Sequence, residues 1–399
     1  MSDPIPSRQQ WSITAKLSGL GAFLAALALV LTKIGLISVT LSGWYHRAFP
    51  PPVPYDVIAS SPTDVPSYLR FYYLDEGLGK QESLYWFRVQ MQNKSRLPIT
   101  LSIEFNLEPL DCEFVQLNKA WKPDDYELKP GETLLKEVSP ALEWLDKDAP
   151  TDCYLEVHYS IRDDRGDKPH PVSTDKIKIL PRHKVKWDLA NVDHKPVSRD
   201  FLLASLSAWS LSREGSVIEL AKRLDKSQWS PEQWVSLCYR DLFQGQLGLR
   251  ITPTANTYPF EEETTLRAPG QILSEGSAEP LEAALLMAAV INAAIPGQMP
   301  LTLFILPEER SVKNPAILLA WNSPVNDAWE AIDLRLARTL GFQENLQQAK
   351  DLPSLVFSKN PQIRESVTRR GVFYGAGASL PTVISFDRAV KTFQIRPLP

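Results

Sequence analysis

The stretch Ile272–Ala294, ILSEGSAEPLEAALLMAAVINAA, joins a turn rich in Gly and Ser to a long apolar segment. From Leu281 onward the segment is apolar on nearly all sides of a helix, which predicts a helix buried in a protein core. Pro280 suits the first helical turn, where an N–H would lack a partner, and Glu282 suits the positive end of the helix dipole. We therefore predict a buried helix that begins near Pro280.

The chain has 399 residues, of which 44% are hydrophobic, and its formal net charge is -4. This length favours two or three domains, and the charge gives no overall field that attracts nucleic acid, so we expect no nucleic-acid partner. The three cysteines are Cys112, Cys153 and Cys238. Cys112 and Cys153 fall in one region and either pair there in an oxidising compartment or remain separate buried thiols.

Residues 17–45, LSGLGAFLAALALVLTKIGLISVTLSGWY, follow an N-terminal tail (1–16) and contain a single charge, Lys33. About 20 apolar residues span a bilayer, so this segment predicts a single-pass transmembrane helix with the lipid bilayer as its surroundings. Lys33 either reaches the membrane interface or meets a partner inside an oligomer in the bilayer. Lys33 is therefore a candidate membrane-assembly residue, and a homo-oligomer is one expected state.

A Pro-rich segment over residues 46–66 predicts a semi-rigid stalk. Basic residues lie on both sides of the predicted span, and their balance slightly favours a cytoplasmic N-terminus. We therefore expect the later domains outside the cytoplasm, with a cytoplasmic location as the alternative.

Residues 67–190 contain runs in which apolar and polar residues alternate. Tyr85–Met91 and Ile99–Phe105 show this period of two on either side of a polar turn, Gln92–Arg96. The pattern predicts a hairpin with one buried face. Short alternating runs with regular turns predict an all-β sandwich of immunoglobulin-like type over 67–190.

Helical spacing begins near Ser198 and recurs in SPEQWVSLCYRDLF, which starts at Ser230. Ser230 is a typical N-cap, Pro231 suits the first helical position, and Gln233 is the matching capping-box partner. A helix is therefore predicted to begin at Pro231.

In order and spacing, the chain from Arg199 to its end resembles bacterial transglutaminase-like domains of the papain-like superfamily. Trp321, after a strand, and Asp333, in AWEAIDLRL, stand where the family has a Trp and an acidic residue. The resemblance around the buried helix is carried by Arg267, Pro269, Ile272, Leu273, Gly276, Leu281, Ala284, Leu285, Leu286, Ala288 and Ala289. It implies an α+β domain over 198–399, so the predicted fold class is a transmembrane helix, a β-sandwich and this domain.

The catalytic residues of the family are missing from these positions. Pro280 occupies the place of the nucleophilic Cys, and residues 307–314, where the family His falls, contain none. All five histidines precede the domain, and its single thiol, Cys238, lies in another predicted helix. A reactive thiolate needs a base within hydrogen-bonding reach. We therefore predict a pseudoenzyme with no catalytic residue, no metal site and no cofactor.

The predicted function is a membrane-anchored, non-catalytic scaffold or adaptor that binds a protein or peptide partner in a membrane complex. The positions expected to line the degenerate cleft are Glu279, Pro280, Glu282, Trp321 and Asp333. The alternative is a hydrolase or transferase that uses Glu279, Glu282 or Asp333 as acid or base. A carboxylate near a helix N-terminus has its charged form stabilised, which makes it a poor acid and counts against that alternative.

Overall fold

The computed structural model describes residues 55–69, 72–73, 82–110, 124–138, 153–163, 174–181, 183–224, 230–253, 263–308, 311–322, 328–375 and 380–398. The described residues from Val57 onward belong to one compact unit.

The first part of this unit is built from two small sheets and a short pair of strands. The strands are β1 (Tyr55–Ser60), β2 (Asp64–Pro66), β3 (Phe87–Asn93), β4 (Ile99–Leu110), β5 (Asp124–Leu128), β6 (Thr133–Val138), β7 (Cys153–Asp163), β8 (Thr174–Leu180) and β9 (Lys184–Lys186). One sheet has the order β1-β3-β6, and the other has the order β2-β8-β7-β4-β5. The rings of Phe87 and Phe105 meet between these sheets with centroids 5.6 Å apart.

The predicted hairpin between β3 and β4 is wrong, although its buried faces are correct. Val89 and Leu101 are fully buried as the alternation predicts. However, β3 pairs with β6, whereas β4 pairs with β5 and β7 in the other sheet. The side-chain amide of Asn93 stabilises the crossing by donating to the carbonyls of Leu97 (2.9 Å) and Leu128 (2.8 Å). The chain therefore passes between sheets where a hairpin would stay in one.

The second part combines helices with a five-stranded sheet. Its strands are β10 (Arg250–Ile251), β11 (Glu263–Thr265), β12 (Ser277–Ala278), β13 (Leu301–Glu308), β14 (Ser311–Asn322), β15 (Trp329–Asp333), β16 (Val372–Tyr374) and β17 (Thr382–Ser385). Its helices are α1 (Arg199–Ser205), α2 (Ser207–Ser210), α3 (Gly215–Leu224), α4 (Pro231–Tyr239), α5 (Pro269–Glu275), α6 (Pro280–Ala294), α7 (Phe342–Ala349), α8 (Leu352–Lys359), α9 (Pro361–Arg370) and α10 (Phe386–Phe393). The five-stranded sheet has the order β15-β14-β13-β17-β16.

Helix α6 is the buried helix predicted from the sequence, and every residue from Pro280 to Ile291 is buried. It packs against α2, α3, α4, α5 and strand β14. One face of the five-stranded sheet forms a separate apolar cluster with α7, α8 and α9, to which Leu318 and Ala331 contribute. Neighbours on all sides explain why α6 has no polar face.

The predicted start of α4 is confirmed. The Ser230 N–H donates to the Gln233 side chain (2.8 Å), and the Gln233 N–H donates to the Ser230 hydroxyl (3.4 Å). These reciprocal bonds satisfy donors that a helix start otherwise leaves unpaired.

The two parts of the unit share a packed boundary. Strand β9 pairs with β11, and the ring of Tyr72 packs edge-on against Phe201 with centroids 4.9 Å apart. Arg88 on β3 binds Glu137 (2.6 Å) and Asp193, which holds the connection to α1 against the first sheet. The domain boundaries predicted above stay predictions.

The predicted fold class and membrane localisation are corrected by this structure. Within the described ranges, no helix is long and apolar enough to cross a membrane. Helix α6 has 15 residues, short of the roughly 20 that a bilayer needs, and it is covered by protein. The described residues form a mixed α/β arrangement with several small sheets. Residues 17–45 with Lys33, the stalk to residue 54, and Cys112 lie outside the described residues.

Candidate functional site

The start of α6 holds a buried ion pair between Glu282 and Arg267. Glu282 is 2% exposed, and its carboxylate accepts from the Arg267 backbone N–H (2.8 Å), Nε (3.0 Å) and Nη2 (2.5 Å). It also accepts from the Glu279 N–H (2.9 Å) at the helix N-cap. Four donors and the helix dipole therefore stabilise the charged carboxylate.

Arg267 has a second carboxylate partner, Glu275 at the end of α5. The hydrogen bond to Glu282 and then the one to Glu275 raise the pKa of Arg267, although burial opposes them. The hydrogen bond from Arg267 lowers the pKa of Glu275. Gly276 ends α5 with a φ of 64°, in the left-handed region that glycine adopts without strain. This sharp turn brings Glu275 and Glu282 to the same guanidinium.

Asp333 lies at the end of β15 and is 4% exposed. Its carboxylate accepts from the Arg335 backbone N–H (2.9 Å) and from Nη2 of the same residue (2.7 Å). These bonds cap the 3-10 turn Leu334–Leu336 and pair the acidic side chain with a guanidinium. The residue directly across from Asp333 on β14 is Leu318, and its apolar side chain cannot serve as a base beside that carboxylate.

The backbone of Asp333 is held by Asn345, which is fully buried on α7. The Asp333 N–H donates to Asn345 Oδ1 (2.7 Å), and Asn345 Nδ2 donates to the Asp333 carbonyl (2.9 Å) and the Tyr239 hydroxyl (3.1 Å). Burial raises the pKa of Tyr239 to about 12, so this phenol remains a donor, and it donates to the Leu340 carbonyl (2.9 Å). Asn345 and Tyr239 were not predicted, because nothing local marks their contact.

Trp321 is 1% exposed, and its indole Nε1 donates to Glu330 Oε2 across the β14–β15 pair (2.8 Å). Burial, and then the nearby Glu232, raise the pKa of Glu330, while Trp321 and Lys350 lower it. Glu330 lies three residues before Asp333 on β15 and therefore on the opposite face of the strand.

The five predicted cleft positions are divided among three hydrogen-bonded groups. Glu279, Pro280 and Glu282 stand together at the start of α6. Asp333 shares a sheet face with Leu318 in the α7–α9 cluster, whereas Trp321 alternates with Leu318 along the strand and lies on the other face. The sheet therefore separates Asp333 from Trp321.

A polar groove of about 390 Å³ runs along α4. The residues that line it are Ser230, Glu232, Gln233, Ser236, Leu237, Arg240 and Gln343. Glu232 also contributes to the charge around Glu330, which places the groove near the Trp321 group. Among the residues that the structure describes, no group of three or more His, Cys, Asp or Glu is arranged to hold a metal ion; the predicted absence of a metal site stays a prediction.

Comparisons with known proteins leave the family open. No family model and no curated protein matches the chain. A candidate protease from Parabacteroides distasonis is 10% identical, with a TM-score of 0.25, and covers 61% of this chain and 45% of its own. A FixG-related protein from Vibrio parahaemolyticus is 9% identical, with a TM-score of 0.16, and covers 33% of this chain and 98% of its own. The YadV chaperone is 16% identical, with a TM-score of 0.18, over 32% of this chain and 52% of its own.

Proposed function

We propose that this chain is a non-catalytic binding protein whose C-terminal, transglutaminase-like part holds a protein or peptide partner as a scaffold or adaptor. The observation that supports this most is the buried pair of Arg267 and Glu282 at the start of α6. At the position where the resembled family has its nucleophile, this chain has Pro280, followed by a carboxylate whose oxygens are already bound.

The carboxylates of this region are poorly placed for acid–base chemistry. A general base needs a free lone pair within hydrogen-bonding reach of the substrate. Glu282 and Asp333 are both nearly inaccessible to solvent, and each is paired with an arginine. Freeing either carboxylate would leave a charge buried without its partner, which costs several kcal/mol. The alternative of a carboxylate-based hydrolase or transferase is correspondingly weaker.

The groove along α4 is our proposed contact surface for the partner. Its lining offers side-chain amides from Gln233 and Gln343, a hydroxyl from Ser236, and the opposite charges of Glu232 and Arg240. Amide groups both donate and accept, so they suit the repeating N–H and C=O groups of a peptide backbone. Gln343 is exposed at the second position of α7, where a longer side chain would enter the groove without disturbing the core.

The experiment is an affinity purification of the tagged full chain with two matched variants. Gln343→Arg obstructs the groove, while Gln362→Arg makes the same change at the exposed second position of α9. We expect a stoichiometric partner with the wild type and Gln362→Arg, and at least a tenfold loss with Gln343→Arg, as for a bulky charge in an interface core. Equal recovery by all three proteins would refute the groove, and a partner that is chemically modified by the wild type would refute the non-catalytic role.

A further inference from the structure

A second cavity, of about 530 Å³, lies at the opposite end of α6 from Glu279. The helix has 15 residues, so at 1.5 Å per residue its two ends are roughly 20 Å apart. The cavity is bounded by the α2–α3 connection, the turn after α6 and helix α10. The lining residues that carry the argument are Arg213, Ile218, Asn292, Asp387, Val390 and Lys391. This cavity is separate from the predicted cleft and from the groove along α4.

The walls of the cavity are mainly apolar, with Leu211, Ile218 and Val390 each half-buried along them. Asn292 closes one side, because its Nδ2 donates to the Ser210 carbonyl (2.9 Å) and ties α6 to α2. A volume within about 300–1,000 Å³, with apolar walls and a few polar groups, is typical of small-molecule sites.

Both signs of charge face this cavity. Asp387 is half-buried, and among the described residues no donor hydrogen-bonds to its carboxylate. Burial raises the pKa of Asp387, and the charge of Lys391, one turn later on α10, opposes that shift only in part. Arg213 and Lys391 are exposed and supply two cations at the rim.

The end of α6 adds to the negative side. Asn292 and Ala293 of its last turn line the cavity, and the carbonyls of that turn carry the negative end of the helix dipole. A ligand that is only an anion would cover the half-buried Asp387 without donating a hydrogen bond to it, which is unfavourable for a carboxylate. A ligand that is only a cation would make no use of Arg213 and Lys391 at the rim.

We propose that this cavity binds a small zwitterion with an apolar side chain, namely a free apolar α-amino acid. The ammonium group pairs with Asp387, the carboxylate pairs with Arg213 and Lys391, and the side chain packs against Ile218 and Val390. This proposal does not depend on the protein-binding role, since it concerns other residues at the other end of α6.

The test is isothermal titration calorimetry of the full chain with L-leucine, L-leucinamide and N-acetyl-L-leucine. Leucinamide lacks the carboxylate and N-acetyl-leucine lacks the ammonium, so we expect each to bind at least about tenfold more weakly than leucine, as for the loss of one charge-assisted hydrogen bond. Asp387→Asn is expected to weaken leucine about tenfold and to leave the weak binding of N-acetyl-leucine unchanged. Glu365→Gln, which neutralises an exposed acid on α9, is the matched control and should bind leucine as the wild type does.

The outcomes separate the alternatives. If either derivative binds as tightly as leucine, or if Asp387→Asn binds leucine normally, recognition of both charges is refuted. If Asp387→Asn melts well below Glu365→Gln, the comparison of leucine with its two derivatives on the wild-type chain decides the question by itself. Absence of binding by leucine, isoleucine, valine and methionine would overturn the proposal outright.

Discussion

Replacing Arg267 with Met removes the guanidinium that neutralises Glu282 while keeping a side chain of similar length. The carboxylate then keeps two backbone N–H donors and loses the two bonds from Nε and Nη2. Leaving one member of a buried ion pair without its partner costs about 3–5 kcal/mol. The remaining donors and the helix dipole offset part of this cost, so we expect a loss of about 3 kcal/mol.

Urea denaturation of the full chain, followed by tryptophan fluorescence, measures this loss. With a slope near 3 kcal/mol per M, the midpoint of the transition that contains α6 should fall by about 1 M. The second member of the cycle is Glu282→Leu, which leaves Arg267 with Glu275 and some solvent contact, and should cost about 2 kcal/mol from the lost charge and helix-start bonds.

The double variant decides whether the pair acts as a unit. Because it contains no buried unpaired charge, its loss should be smaller than the sum of the single losses by at least about 1.5 kcal/mol. Additive losses, or a loss for Arg267→Met below about 0.5 kcal/mol as for exposed ion pairs, would refute the role assigned to this contact.

The pH dependence of Glu330 is a second prediction. Burial and the nearby Glu232 raise the pKa of Glu330, while Trp321 and Lys350 oppose the shift. The folded protein therefore keeps the Glu330 proton to a higher pH than the unfolded chain does. As the pH rises from about 4.5 through the folded pKa, the free energy of unfolding falls. Glu330→Gln should therefore match the wild type in unfolding free energy at pH 4 and exceed it at pH 7, by about 0.5 kcal/mol or less because solvent screens the group. Urea denaturation at both pH values measures this, and a larger difference at pH 4 than at pH 7 would contradict it. Gly371→Ala should cost several kcal/mol and lower the melting temperature markedly, because φ is +83° and the new Cβ would stand 2.8 Å from the Cα of Ala389; a melting temperature like the wild type would show that this backbone relaxes freely.

Local sequence signals predicted local structure well. The reciprocal bonds of Ser230 and Gln233 follow from residues three apart, and the burial of Val89 and Leu101 follows from their alternation along a strand. The same alternation did not reveal which strands pair, because a period of two is equally compatible with a hairpin and with a crossing between sheets. What distinguishes the two is the pairing of β3 with β6 and of β4 with β5 and β7, which joins residues far apart along the chain.

In the candidate site, too, the local sequence did not reveal which distant residues are in contact. The sequence indicated that Glu282 suits the start of a helix, but not that Arg267, 15 residues earlier, would bind it. A loop, helix α5 and the turn at Gly276 together set that distance, and the residue types at the two ends of α5 do not reveal which carboxylate the guanidinium meets. Asn345 and Tyr239 are a stronger case, since 106 residues separate two side chains that hydrogen-bond in the core.

The residues at the start of α6 follow from the need to satisfy the first N–H groups of a buried helix. The missing catalytic Cys and His do not explain them. A helix buried on all sides needs an anion or a cap at its first turn, because water cannot reach its unpaired N–H groups. Glu282 provides the anion, the buried anion requires Arg267, and Glu275 pairs with the side of Arg267 nearer solvent. Arg267 and the Glu279 N–H together supply four donors to the two oxygens of Glu282, so no lone pair is left over for a substrate. If a hydrolase or transferase activity were lost on changing Glu282, that loss would therefore not identify Glu282 as a catalytic residue. If such an activity were retained in a folded Arg267→Met, Glu282→Leu double variant, Glu282 would be excluded as a catalytic residue.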